Sequence, residues 1–273
     1  MPPANKRRSL LTLRFLYQMG EIAVVMGRTL RDMFRPPFEA RIFVQQLESV
    51  GVNSMSVVAI TAAFGGLVFG LQTYSGFHKY VGPGTEVYSG PIISVGLCKE
   101  LIPLLVALMI AGRVGSSMTA ELGTMKITEQ IDALASLGAD SSRYLVVPRA
   151  LAAVIMMPLL TLYGDMIGIF CGFFYNIVGM GVNRVVYIRN ALLYFNFWDV
   201  SVGLVKAVVF GFVISTVGCW QGLKAEGGAE GVIIAEIMDL VLAAVVGKVV
   251  LPTSTVPRVK LFLGLTQMLI SEM

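Results

Sequence analysis

The chain has 273 residues, 56% of them hydrophobic and only 14% charged, with a mean hydropathy of +0.77. Soluble domains carry about 25% charged residues, so this composition excludes an ordinary water-soluble globule and points to lipid as the solvent. The formal net charge of +4 suits contact with anionic headgroups; with no basic stripe interleaved with aromatics, it is no argument for nucleic acid.

From the N-terminus, Lys6, Arg7 and Arg8 precede an apolar run that Arg14, Glu21 and Arg28 keep interrupting, which does not read as a cleavable signal. Residues 10–33 read instead as an amphipathic helix lying in the membrane interface. Phe38–Val52 reads as a second such piece after the Arg35-Pro36-Pro37 break, so that 1–53 forms an interfacial region. A spanning helix needs about 20 apolar residues. Windows near 54–74, 91–112, 150–177, 199–221 and 232–251 meet this, giving a five-span membrane domain over 54–251 and a tail over 252–273. Segments 1–53, 113–149 and 222–231 together hold thirteen Lys and Arg, against five in 75–90, 178–197 and 252–273. That bias predicts a cytoplasmic N-terminus.

Small residues are patterned within the windows. Ala59, Ala62, Gly66 and Gly70 share one face of the first, and Gly164, Gly168 and Gly172 recur every four residues in the third. Such stripes let helix backbones approach closely, within one chain or between subunits. Charges also occur inside the windows: Lys99, Glu100, Asp165, Lys206, Glu236 and Asp239. Each costs about 2.5 kcal/mol or more at the bilayer centre, so each is expected to face a partner or a cavity. Lys99 and Glu100 read either as a polar collar on a cavity or as an interfacial turn before a span starting at Leu101. Asp165 and Lys206 read as an interhelical pair. Cys98, Cys171 and Cys219 fall in the spans and read as buried apolar residues, and His78, the single histidine, reads as a solvated loop residue. No metal-ligand spacing, phosphate-binding loop, H-E-x-x-H or G-x-S-x-G element is present. The expectation is a transport or scaffold protein with no catalytic residues, no metal and no cofactor of its own.

Residues 111–149 form a polar island between two spans, longer than a simple reversal of direction needs. Within it Ile127, Ile131 and Leu134 lie at i, i+4 and i+7, with Lys126, Glu129, Gln130 and Asp132 around the rest of the turn. The pattern predicts about three turns of amphipathic helix, stopped by Gly138 in the left-handed conformation. Its mixed, slightly acidic surface suits a protein partner, since helices resting on lipid are usually rich in Lys and Arg.

The run AGRVGSSMTAELGTMKITEQIDALASLG, followed by YLVVPR, resembles the signature of the MlaE (YrbE) family of ABC-transporter permeases. GLQTY at 70–74, KELIP at 99–103, GRVGS at 112–116 and GGAEGV at 227–232 occur in the family's order and at similar spacing, over about residues 40–232. The resemblance implies an all-α integral membrane protein of the bacterial inner membrane, with N-terminal interfacial helices and about five transmembrane helices. It implies a cytoplasmic coupling helix between the second and third spans, within about 119–138. It further implies a homodimer, a cytoplasmic ABC ATPase that binds the ATP, a periplasmic MCE-domain ring protein, and a small STAS-domain protein as an optional further subunit. The cargo would be phospholipid or a related lipid. By the same matching, Lys126, Glu129, Gln130, Asp132 and Leu134 would engage the ATPase, and Leu67, Leu71, Tyr74, Phe77 and Glu100 would line a lipid pocket at the dimer interface. After GGAEGV the chain departs from the family pattern, Glu236 and Asp239 leaving only Leu240–Val246 cleanly apolar before Lys248. Without the resemblance, the residues also admit a scaffold recruiting a soluble partner through 119–138. An ion-coupled transporter using Asp165, Glu100 and Lys206 is the other alternative.

Overall fold

A computed structural model describes residues 4–34, 40–80, 89–138, 140 and 142–224. Among them there is no strand, and four helical stretches are long and apolar enough to cross a bilayer: Arg41–Tyr80, Ser89–Ile127, Arg143–Gly179 and Phe197–Leu223. The chain is an all-α, multi-pass membrane protein. The fifth expected window, 232–251, with Glu236 and Asp239, lies outside the described residues, as do GGAEGV at 227–232 and the tail at 252–273.

In chain order, α1 (Ala4–Asp32) and α2 (Ala40–Val50) precede a short 3-10 turn and α3 (Met55–Tyr80), the first span. The second span is one continuous helical path: α4 (Ser89–Gly96), a π turn at Leu97–Leu101, α5 (Ile102–Ile110), a second π turn at Ala111–Gly115, and α6 (Ser116–Ile127). A short α7 (Gln130–Ser136) leads to the third span, α8 (Val147–Phe174). Then come α9 (Arg184–Tyr194) and the fourth span, α10 (Phe197–Leu223). The 39 residues of Ser89–Ile127 would run about 58 Å as helix, nearly twice the ~30 Å hydrocarbon core. The second span therefore projects well beyond the bilayer at its α6 end, and the polar island expected at 111–149 is largely helical extension rather than loop.

The two small-residue stripes meet each other. A Cβ on Gly66 would fall 2.1 Å from the Gly168 carbonyl oxygen, and one on Gly172 3.2 Å from that of Gly66. Dispersion across so close a backbone contact replaces the hydrophobic driving force that lipid removes, so α3 and α8 form a closed seam. Gly164 admits Ile102 and Val106 from α5 on the same side of α8. Around this seam Val58, Leu97, Ile110, Met157, Leu160 and Phe210 form the buried core. On the outside of the bundle α1 lays Ile22, Val25 and Met26 against Val213, Val217 and Trp220 of α10. Glu21 forms an ion pair with Lys224, whose ammonium sits 4.8 Å from the centroid of the Trp220 ring.

At the end where α3 finishes and α4 begins, polar caps set the turns. Gly181 takes φ +69, a conformation that glycine adopts without strain. Buried Asn176 bonds Ser89 and the Gly172 carbonyl, while the Asn183 side chain caps α9 by accepting from the Val185 and Val186 amides. Asn196 and Asp199 form a reciprocal capping box at the start of α10.

Candidate functional site

Three features stand out: an apolar groove, a ladder of charges across the bundle, and an exposed elbow. The groove lies between α3 and the second span. It has a volume of about 600 Å³ and is walled by Ile60, Phe64, Val68 and Gln72 from α3 and by Leu101, Leu104 and Leu105 from the facing helix. Gly65 forms its floor against the tip of Leu105. Ile60, Phe64 and Val68 are each half exposed or more, so the groove opens on the outer surface of the bundle.

In the second span, the π turn at Leu97–Leu101 carries both Lys99 and Glu100. One extra residue per turn re-aims side chains and frees carbonyls, and α10 exploits both effects. Lys99 Nζ lies 2.5 Å from Asp199. Lys206 Nζ donates to Glu100 Oε1 at 2.7 Å and to the Lys99 carbonyl at 2.9 Å. Asp199, Gly203 and Lys206 fall at i, i+4 and i+7 on α10, and Gly203 permits the approach, because a Cβ there would lie 2.1 Å from the Cys98 carbonyl oxygen. Two spans are thus tied by paired charges that would each be costly alone.

The elbow is at the other end. α6 ends at Ile127, where Thr128 Oγ1 donates back to the Thr124 carbonyl and Glu129 takes the left-handed φ of 59°. α7 begins after this break, and Lys126 spans it to Asp132 with contacts of 2.8 and 3.1 Å. Ile131 is buried and Leu134 packs on the core, whereas Ile127 and Leu137 stand exposed beside Glu129 and Gln130. Behind the elbow, buried Arg149 at the start of α8 holds Glu121 of α6 at 3.1 Å, with Nε and Nη1 of the guanidinium lacking a hydrogen-bond partner.

The family described as Permease MlaE matches residues 43–251, most of the membrane region. The chain belongs to the MlaE permease family. A probable ABC transporter permease protein of Rickettsia bellii is 40% identical over 221 residues, covering 81% of this chain and 84% of that protein. A probable ABC transporter permease protein of Synechocystis is 38% identical over 206 residues, 76% of this chain and 77% of the relative. The Arabidopsis thaliana protein TRIGALACTOSYLDIACYLGLYCEROL 1, chloroplastic, is 30% identical over 219 residues, 80% of this chain and 62% of its own length. The chain is accordingly an ABC-transporter permease.

Within this MlaE-family permease, none of Leu67, Leu71, Tyr74, Phe77 and Glu100 walls the 600 Å³ groove. Leu67 and Leu71 sit one residue before Val68 and Gln72, which turns them about 100° around α3. Leu71 is exposed, and Tyr74 stacks on His78 at 6.0 Å. Glu100 is drawn to Lys206, while its neighbour Leu101 reaches the groove. Lys99 and Glu100 lie inside a helical path that has already run from Ser89. The expected Asp165–Lys206 pair does not form either. Lys206 is taken by Glu100, and buried Asp165 has no ion pair among the described residues, its Oδ1 lacking any hydrogen-bond partner.

The single three-turn helix expected over Lys126–Leu137 is likewise two pieces, because the bond from the Thr128 hydroxyl and the turn at Glu129 compete with the helical ladder. Gly138, with φ +78, does end α7 as its sequence position suggests. The sequence does not single out Asp199 or Arg149. An acid in the first turn of an apolar window reads as a cap, and nothing local to Arg149 marks Glu121 as its partner.

Proposed function

We propose that this permease moves phospholipid or a related lipid between the inner membrane and the outer envelope of a bacterium, as a homodimer driven by a separate cytoplasmic ATPase. The α3–α5 groove carries the reading: its volume lies in the range of sites for small amphiphiles, its walls are almost wholly apolar, and it opens where acyl chains are the solvent. The Arabidopsis relative bears the name of a glycerolipid, which supports a lipid cargo. On this reading the elbow faces the cytosol with the N-terminus. Ile127 and Leu137 would enter a groove of the ATPase, with Lys126, Glu129, Gln130 and Asp132 at the rim and Leu134 bracing the elbow from inside. ATP would be bound and hydrolysed on that partner, and this chain would supply no catalytic residue, metal or cofactor. At the opposite end an MCE-domain ring would receive or deliver the lipid, with Tyr74, Phe77 and Glu100 between groove and ring and Leu67 and Leu71 against acyl chains. A small STAS-domain protein would join the ATPase side as an optional subunit.

Two measurements test the reading. A photoactivatable phenylalanine analogue at Phe64 should crosslink phospholipid in the intact complex, and one at Tyr74 should do so more weakly. Lipid adducts at control positions on α10 but at neither of these would overturn the pocket. The charge reversal Glu129→Lys with Asp132→Lys should leave the protein inserted while reducing ATPase co-purification at least tenfold. Undiminished ATPase in that purification would remove the elbow from the mechanism.

A further inference from the structure

The helix α9, between the third and fourth spans, is held by one face only. Tyr187 is buried against Gly90, where a Cβ would meet its ring at 3.3 Å, and it stacks edge-on to Phe173 at 5.6 Å. This grip fixes the rotation of α9 about its axis, with Asn190 and Ala191 flanking Tyr187 on the half-buried side. The opposite face carries Val185, Leu192 and Leu193, each at least two-thirds exposed, with exposed Arg189 among them and Arg184 at the first turn. An apolar surface of this kind marks an interaction site.

Two observations name the occupant. First, the surface continues onto the exposed apolar side of a span. Phe197 and Trp198 are among the most exposed large side chains, and Trp198, Val205 and Val209 follow one another at i, i+7 and i+11 along the outside of α10. A tryptophan at the head of such a stripe is the usual marker of the headgroup level. Second, the charge is one-sided. α9 has two arginines and no acid, and at this end of the described bundle the nearby acids Glu100 and Asp199 are already paired with Lys206 and Lys99. An arginine set among exposed aliphatic residues can bury its stem in the acyl boundary and lift its guanidinium to the phosphates.

We infer that α9, with Phe197 and Trp198, lies in the headgroup layer of the leaflet at its end of the bundle and holds anionic phospholipid through Arg184 and Arg189. This surface needs neither the ATPase nor the α3–α5 groove, so it stands or falls separately from the transport reading.

The test uses the full chain with Trp220→Phe, which leaves Trp198 as its one tryptophan, in bilayers of phosphatidylcholine containing phosphatidylglycerol. Should Trp220→Phe fail to fold, the wild type minus Trp198→Phe supplies the same signal. Bromines near the lipid carbonyls should quench Trp198 more than bromines near the chain ends. Brominated phosphatidylglycerol should quench at lower content than brominated phosphatidylcholine. Arg184→Gln with Arg189→Gln should weaken that preference by about fivefold or more, the worth of one basic residue near a charged surface, and leave the depth profile unchanged. Raised salt should weaken it in the arginine-containing protein. Absence of quenching by either lipid would mean that a second copy or another protein covers α9, and would overturn the inference. Stronger quenching by deep bromines, or a preference untouched by the arginine substitutions, would do so as well.

Discussion

The two sides of α3 differ by one residue in register and by almost everything in packing. Through Gly66 it meets α8 so closely that a Cβ would collide with the backbone of Gly168; through Gly65 and the bulky Ile60, Phe64 and Val68 it stands off from α5 and leaves a groove. In lipid no hydrophobic force draws helices together, and here the seam closes because side chains are small on both sides and backbones can touch. Where Ile60, Phe64 and Val68 stand out from α3 with no matching small stripe opposite, the gap persists. The closed seam ties α3 to α8, and the open one leaves an apolar groove.

The contrast is broken hardest at Gly66. Gly66→Val places a side chain 2.1 Å from a carbonyl oxygen that cannot swing aside, and should cost about 3 kcal/mol or more. Loss of monodisperse protein in detergent is the expected readout. Gly65→Ala is the matched control: its Cβ would meet the movable tip of Leu105, so the protein should stay folded with a change below about 1.5 kcal/mol. Equal damage from both would erase the distinction between the seams. Next in size is Lys99→Met, which strands the largely buried Asp199 carboxylate. It should lower stability by about 3 kcal/mol, and adding Asp199→Asn should restore most of that in a thermal double-mutant cycle.

Smaller effects sharpen the picture away from the seams. Glu129→Gly relieves a left-handed backbone at the exposed elbow and should raise the melting temperature, by about 0.5–1 kcal/mol of stability. A fall would mean that the Glu129 side chain itself holds the turn. The smallest concerns Tyr187, whose phenol is pushed up from its ordinary value by burial. A raised phenol contributes stability that is complete below the unfolded value near pH 10 and is lost as pH rises through the folded one. Melting scans should therefore show an alkaline decline above about pH 10 that Tyr187→Phe flattens.

Much of this is legible in the sequence alone. The four described spans fall on the expected apolar windows, with helices that run longer, because hydropathy and length are properties of a local stretch of chain. The stripes Ala62-Gly66-Gly70 and Gly164-Gly168-Gly172 could be read as contact faces, since residues four apart share a side of a helix, and Gly138 could be read as a stop from its backbone freedom alone. The site was less legible. Lys99, Glu100 and Lys206 are visible in the sequence as charges in spans, but their pairing, and the part of Asp199 in it, is not.

The sequence by itself determined that the chain is helical, crosses the membrane several times and belongs with the MlaE permeases, because composition, periodicity and motif order are additive along the chain. Only the tertiary structure decided which charge meets which, that Asp165 pairs with neither lysine of the ladder, and that the elbow breaks at Thr128–Glu129. The reason is rotational. A π turn or a one-residue shift swings every later side chain around the helix axis, and the final setting is fixed by contacts such as Gly203 on the Cys98 carbonyl, made between segments far apart in the chain.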